Sequence, residues 1–176
     1  MNRTLPTPWK PTKAQVLAAG NKLVPDLIAK DLVVLFAGIN PGLYTAAIGR
    51  HFGRPGNRFW PALYGGGFTP RLFSPFESAL LLDLNLGITN IVARATARAD
   101  ELGPEEFLLG ARILNAKITR LQPRWLAIVG VTAYRATFGR RRAAVGPQGE
   151  AIGETRVWVL PIPAASTLIN TTYAGR

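Results

Sequence analysis

Asn40 stands in the run Gly38-Ile39-Asn40-Pro41-Gly42, directly after the apolar stretch Leu32-Val33-Val34-Leu35-Phe36-Ala37. A neutral amide takes up no proton near neutral pH, so its chemistry is to hold a water or a polar ligand by hydrogen bonds. The flanking glycines let backbone N–H groups approach a ligand without a Cβ in the way. Arg50, His51, Arg54 and Arg58 follow as a basic rim suited to a phosphate backbone. An Asn-Pro pair between glycines is also an ordinary turn, and the motif alone does not separate the two readings.

These residues need elements to hold them. The run 32–37 reads as a buried strand bounded by turn residues, so Asn40 emerges at a sheet's carboxyl edge, where open α/β sheets bind ligands. Thr12 is expected to cap a helix running to about residue 28. The loop 38–56 is rich in glycine, and Asn57 caps a short helix, 58–65, with Phe59, Trp60, Leu63 and Tyr64 toward the core. Pro61 is tolerated there in the first turn. Ser74-Pro75-Phe76-Glu77 has the form of a helix start. Residues 86–92 read as a short strand or a loop–strand junction. Pro104 opens a helix to Leu121; 125–130 is a strand and 131–138 a helix, with Arg140-Arg141-Arg142 as its solvated end. The last strand, 156–160, enters the loop 161–167. Alternating strands and helices imply an α/β fold: a central, mostly parallel, four- to five-stranded twisted sheet covered on both faces. Residues 1–11, with Pro6, Pro8 and Pro11, read as a flexible lead, and 12–176 as a single domain.

Composition narrows the classes. The chain has 176 residues and a formal charge of +11, from 21 basic and 10 acidic residues, which points to a polyanionic partner. Four acids, Asp100, Glu101, Glu105 and Glu106, gather away from the basic rim. With no cysteine, disulfides, thiol catalysis and iron–sulfur clusters are excluded. His51 is the single histidine, too few for a multi-histidine metal centre, and reads as an exposed loop residue. Neither a membrane span nor a signal peptide is visible, so a cytoplasmic, nucleoid-associated monomer is the expectation.

Gly38-Ile39-Asn40-Pro41-Gly42, Phe52, Pro55, Asn57-Arg58-Phe59-Trp60, Gly67-Phe68-Thr69, Leu81-Leu82-Asp83 and Gly87-Ile88-Thr89 together resemble the mismatch-specific uracil/thymine-DNA glycosylases of the uracil-DNA glycosylase superfamily. The resemblance covers about residues 30–165, and its specific part is the block from Asn40 to Trp60. It implies a three-layer α/β/α sandwich. It also implies hydrolysis of the N-glycosidic bond of uracil and of related damaged bases in DNA, with no metal and no cofactor, to begin base excision repair; U·G mismatches in double-stranded DNA, with tolerance for other damaged pyrimidines, are the expected substrate. In that resemblance Asn40 positions the water and Phe52 stacks on the base.

The physics of such a reaction assigns the other candidates. A base inside a duplex must be flipped out before its sugar can be attacked. Backbone N–H groups near Ile39 and Phe52 can stabilise the departing base anion. Asn90 can read the base's amide edge, although a strand-end turn is an equal reading of it. Asp83, closing an apolar run, is the candidate carboxylate to support the cationic sugar or the water; its plain reading is a solvated or capping residue. Gly42, Arg58, Ala165, Ser166 and Thr167 are expected to touch DNA. The stretch after Leu160-Pro161 departs from the family's second motif, because 162–167 has no long wedge residue or arginine. The competing readings are a non-catalytic module that captures flipped or damaged bases, and an α/β small-molecule enzyme, whose Gly-X-Gly-X-X-Gly or phosphate-loop Lys spacing is missing after the first strand.

Overall fold

A computed structural model describes residues 5–20 and 22–162. Four of its five strands run parallel: β1 (Val34–Gly38), β2 (Leu86–Asn90), β3 (Trp125–Val129) and β5 (Thr155–Leu160). The remaining strand, β4 (Gly146–Ile152), pairs antiparallel with β5 at one edge, and the strand order is β2-β1-β3-β5-β4. The sequence reading did not reach β4. Its residues are Gly-Pro-Gln-Gly-Glu-Ala-Ile, without an apolar alternation, because an outer strand buries too little to need one.

The strand periodicity builds two cores. Leu35, Ala37, Leu126, Ile128, Val157 and Val159 point to one face, where α4 (Pro104–Leu121) and α5 (Val131–Phe138) bring Leu114, Ile118 and Tyr134. Val34, Phe36, Ile88, Ala127 and Val129 point to the other. There α3 (Phe59–Gly65) and a 3₁₀ segment, Pro75–Leu84, supply Phe59, Trp60, Leu63 and Leu81. The result is the expected three-layer α/β/α sandwich, with neighbouring positions on each strand serving opposite layers. Each fully buried aliphatic side chain adds about 1.5–3 kcal/mol.

Local signals set the element ends. Thr12 and Gln15 form a reciprocal cap, but α1 (Lys13–Leu17) ends far short of residue 28. Gly20 and Pro25 follow, and the chain instead lays Leu27 antiparallel against Ile88, each N–H donating to the other's carbonyl at 2.8 Å. This covers the free edge of β2. A short helix, α2 (Leu43–Ile48), lies inside the stretch read as loop. Tyr64 is 51% exposed rather than in the core, since Phe59, Trp60 and Leu63 already fill the inward face of α3. The segment after Ser74 is 3₁₀ rather than α, although Glu77 does reach back to accept from the Ser74 N–H at 2.8 Å.

Candidate active site

Gly38 and Asn90 are partners at the last step of the β1–β2 ladder, so the two loops leave the sheet side by side. Three backbone bonds stitch them: Ile91 N–H to the Gly38 carbonyl (2.9 Å), Val92 N–H to Ile39 (2.9 Å) and Thr96 N–H to Pro41 (3.1 Å). The second loop is anchored in turn. Arg94 meets Glu106 in α4 at 2.7 Å, and Glu106 also accepts from the Gly103 N–H at 3.0 Å. The Arg94 guanidinium first, then that N–H, hold the Glu106 carboxyl down to about 2. Gly110 lets α4 come close: a Cβ there would lie 2.4 Å from the Ile91 carbonyl oxygen.

This frame fixes Asn40. Its Nδ2 donates to the Thr96 hydroxyl (2.7 Å) and the Arg94 carbonyl (2.9 Å), and lies 3.2 Å from the Pro41 carbonyl. With the NH₂ turned into the protein, the group left for a ligand is Oδ1, an acceptor. An acceptor can hold a water by its O–H and leave the water's lone pair directed away.

Phe52 sits beside it with φ +52°, a backbone conformation that a bulky side chain seldom adopts. Its ring stacks on Phe59 at 3.9 Å and 18°. Phe52 borders the cleft while Phe59 lies behind it, so the pair makes a supported aromatic platform. Gly38 is the residue that admits this arrangement. A Cβ there would meet Asn90 Oδ1 at 2.8 Å and the Phe52 ring at 3.2 Å.

His51 is buried, 3% exposed, contrary to the expectation of an exposed loop residue. Its Nε2 is 2.9 Å from the Pro25 carbonyl and its Nδ1 is 3.2 Å from Asn90 Nδ2. The cause is the segment covering the β2 edge, which brings Pro25 over the loop and gives the imidazole a partner at each nitrogen. Burial pushes the imidazole below its ordinary value of 6.5, and Lys117 adds to that; the Pro25 bond and the Asp26 carboxylate pull the other way.

The cleft has a volume of 230 Å³ and brings Ile39, Asn40, Gly42, His51, Phe52 and Asn90 together, with Asn57 and Thr96 on its wall. That is below the roughly 300–1,000 Å³ of sites for drug-sized ligands, and is the scale of one base. A Cβ at Gly42 would point into open space. A larger cavity of 360 Å³ lies between α3 and the sheet, but its lining has no amide, hydroxyl or carboxyl side chain.

Two candidates are not brought to the cleft. Asp83 is exposed and lies just before the start of β2, at the sheet's amino edge; Asn90 ends the same strand roughly 13 Å further on. Arg58 is the N-cap residue of α3, half-buried, and does not border the cavity. Ala165, Ser166 and Thr167 lie outside the described residues. The acids do not gather elsewhere: Asp100 and Glu101 follow directly on Ala99, a cleft residue, with Asp100 paired to Arg98 and Glu106 to Arg94. Two of the four, Asp100 and Glu106, are thereby ion-paired beside the site.

The sequence reading missed Arg94 and Thr96 as parts of the site; it had Gly38 only as a flanking glycine of the motif and His51 only as part of an exposed basic rim. Thr96 and Arg94 carry no local signal, since their contacts with Asn40 span more than fifty positions of chain. Among the described residues no group of three or more His, Asp or Glu side chains could hold a metal ion, and no helix is long and apolar enough to cross a membrane. A family model described as the Uracil DNA glycosylase superfamily matches residues 25–172, a span that contains the whole of this cleft.

Proposed function

The chain belongs to the uracil DNA glycosylase superfamily, and from that premise we propose that it hydrolyses the N-glycosidic bond of uracil flipped from double-stranded DNA, with U·G mismatches as its substrate. The observation that carries this is the amide of Asn40, its NH₂ tied to Arg94 and Thr96 and its Oδ1 left to a base-sized cleft walled by Phe52 and Asn90.

In this mechanism the flipped base stacks on Phe52, with Phe59 holding the ring from behind. Asn90 pairs with the base's amide edge. Asn40 Oδ1 accepts one O–H of a water and aims its lone pair at the sugar's anomeric carbon, C1′. The C1′–N1 bond breaks with its electron pair leaving on the base, and the sugar becomes cationic. The water oxygen then bonds to C1′ and its proton passes to solvent or to the base anion. Backbone N–H groups at Ile39 and Phe52 stabilise that anion. No carboxylate borders the cleft among the described residues, so positioning and leaving-group stabilisation supply the rate. The protein acts as a cytoplasmic monomer on the nucleoid and starts base excision repair. Gly42, Arg58 and the segment 165–167 contact the DNA strand, with Arg50 and Arg54 adding positive charge nearby.

The test uses labelled duplexes with one U·G, U·A or T·G pair, followed by alkali. Abasic-site cleavage that is strongest for U·G and absent in Asn40→Ala supports the proposal. Tight binding of U·G duplexes without any abasic product would instead make the protein a capture module.

A further inference from the structure

We propose that His51 is a positioning residue that decides which atom of Asn90 faces the flipped base, so that the site selects a base offering a hydrogen-bond donor, such as the imide N–H of uracil. This deepens, and rests on, the glycosylase reading above. The contacts leave little freedom. A carbonyl can only accept, so the 2.9 Å contact to Pro25 places the imidazole proton on Nε2. A neutral imidazole has a single N–H, so Nδ1 presents a lone pair. Asn90 Nδ2, 3.2 Å away, must then be the donor to it. That sets the amide with Oδ1 on the opposite side, 2.8 Å from where a Cβ on Gly38 would sit, at the base of the cleft. An acceptor at this place attracts the N3–H of uracil and repels the N3 lone pair of cytosine.

The same contacts make the selection reversible by a proton. A second proton on His51 goes to Nδ1, which then opposes the Asn90 NH₂ donor to donor. Turning the amide relieves this and presents NH₂ to the cleft, an arrangement that favours a base with an acceptor. The charged groups facing the ring are Asp26, which favours protonation, and Lys117, which opposes it. They are paired with each other, Lys117 Nζ to Asp26 Oδ2 at 2.5 Å, and both bond the Thr89 hydroxyl, at 3.1 and 2.7 Å. Arg50 and Arg54 are the other charged side chains on the histidine's own loop. The neutral ring, with its uracil-selecting amide, is therefore the state that holds near neutral pH.

Because the chain has one histidine, ¹⁵N NMR reads its tautomer without assignment. The expected result near neutral pH is the Nε2–H form, with the Asn90 side-chain NH₂ signals moving as the ring titrates below 6.5. An Nδ1–H tautomer overturns the proposal whether or not the protein is active. Single-turnover excision of uracil is the second readout. The wild-type rate falls as the pH drops through the His51 titration, while His51→Asn, whose amide oxygen replaces the Nδ1 acceptor, stays flat. His51→Leu leaves Asn90 unlocked, and its preference for uracil over mispaired cytosine narrows about tenfold near neutral pH. An unchanged preference in His51→Leu, or parallel pH profiles for wild type and His51→Asn, refutes it. A protein that shows the Nε2–H tautomer and coupled Asn90 signals yet releases no uracil would keep the lock and discard the glycosylase reading.

Discussion

The two edges of the sheet are built from similar turns and use their polar side chains in opposite ways. At the amino edge the turns close backbone to backbone. Val33 N–H bonds the Asn85 carbonyl (2.7 Å), Arg124 N–H bonds Leu32 (2.8 Å) and Asp31 N–H bonds Leu121 (2.9 Å). Asp31, Asn85 and Gln122 turn there with φ between +49° and +56°, and their side chains are exposed. Thr155, whose hydroxyl donates to the Pro123 carbonyl, is the exception. At the carboxyl edge the side chains themselves are drawn inward: Asn40 to Arg94 and Thr96, Asn90 to His51, Thr45 to the Gly53 N–H. Among the described residues the non-glycine left-handed turn there falls on a phenylalanine, at greater cost than on a short polar residue. Holding polar groups in one orientation is a requirement of chemistry rather than of turning the chain, and only one edge meets it.

On that contrast, the largest loss comes from removing the aimed acceptor. Asn40→Ala is expected to lower single-turnover uracil excision by about two to four orders of magnitude while DNA affinity changes little. A loss below about tenfold would put the water elsewhere. Next is Gly38→Ala, where the new Cβ meets Asn90 Oδ1 at 2.8 Å and the Phe52 ring at 3.2 Å. The ring and amide must shift, and the rate should fall about a hundredfold, with the melting temperature showing only a modest destabilisation.

Thr96→Val sharpens the comparison further. It keeps the shape and removes one acceptor from the Asn40 NH₂, leaving the Arg94 and Pro41 carbonyls. A drop of about tenfold in rate, with unchanged stability of binding to an abasic-site duplex, is expected. The anchor of the same loop gives a pH prediction. Glu106 is held at about 2 in the fold against an ordinary 4.5, so its contribution to stability is present above about 4.5 and disappears as the pH falls toward 2. Glu106→Gln should therefore melt lower than wild type near neutral pH, with the gap closing in acid; a gap that persists in acid would show that packing, not the ion pair, is at stake. The group is solvent-exposed, so the effect is small.

The contrast also explains what could be read from the chain. β1, β3, α4 and α5 were legible because apolar runs, proline at a helix start and glycine at strand ends act over a few residues. Asn40, Phe52 and Asn90 were legible as site candidates from the glycines and strand end around them together with the family resemblance, and the structure gathers them at one cleft. Strand β4 was not, being an outer strand without alternation, nor was α2, hidden in a glycine-rich stretch. His51 was read as exposed because nothing nearby in sequence shows that Pro25 will cover it. Thr96 and Arg94 depend on two loops meeting, which no single window of residues contains.

The smallest expected effect concerns a carboxylate. Asp83 is a candidate in sequence because a cationic sugar wants a negative charge and this carboxylate closes an apolar run that could point it toward the same edge. The 3₁₀ segment that carries it leads into the start of β2, while the flipped base would lie beyond the strand's other end. With the length of β2, roughly 13 Å, between the strand's start and the cleft and with solvent around the side chain, its field at the sugar is about as weak as any surface charge beyond a Debye length. Asp83→Asn is thus expected to excise uracil within about twofold of wild type at physiological salt. A loss of about tenfold or more, persisting at high salt, would mean that the amino edge takes part in the chemistry and that the division between the two edges is wrong.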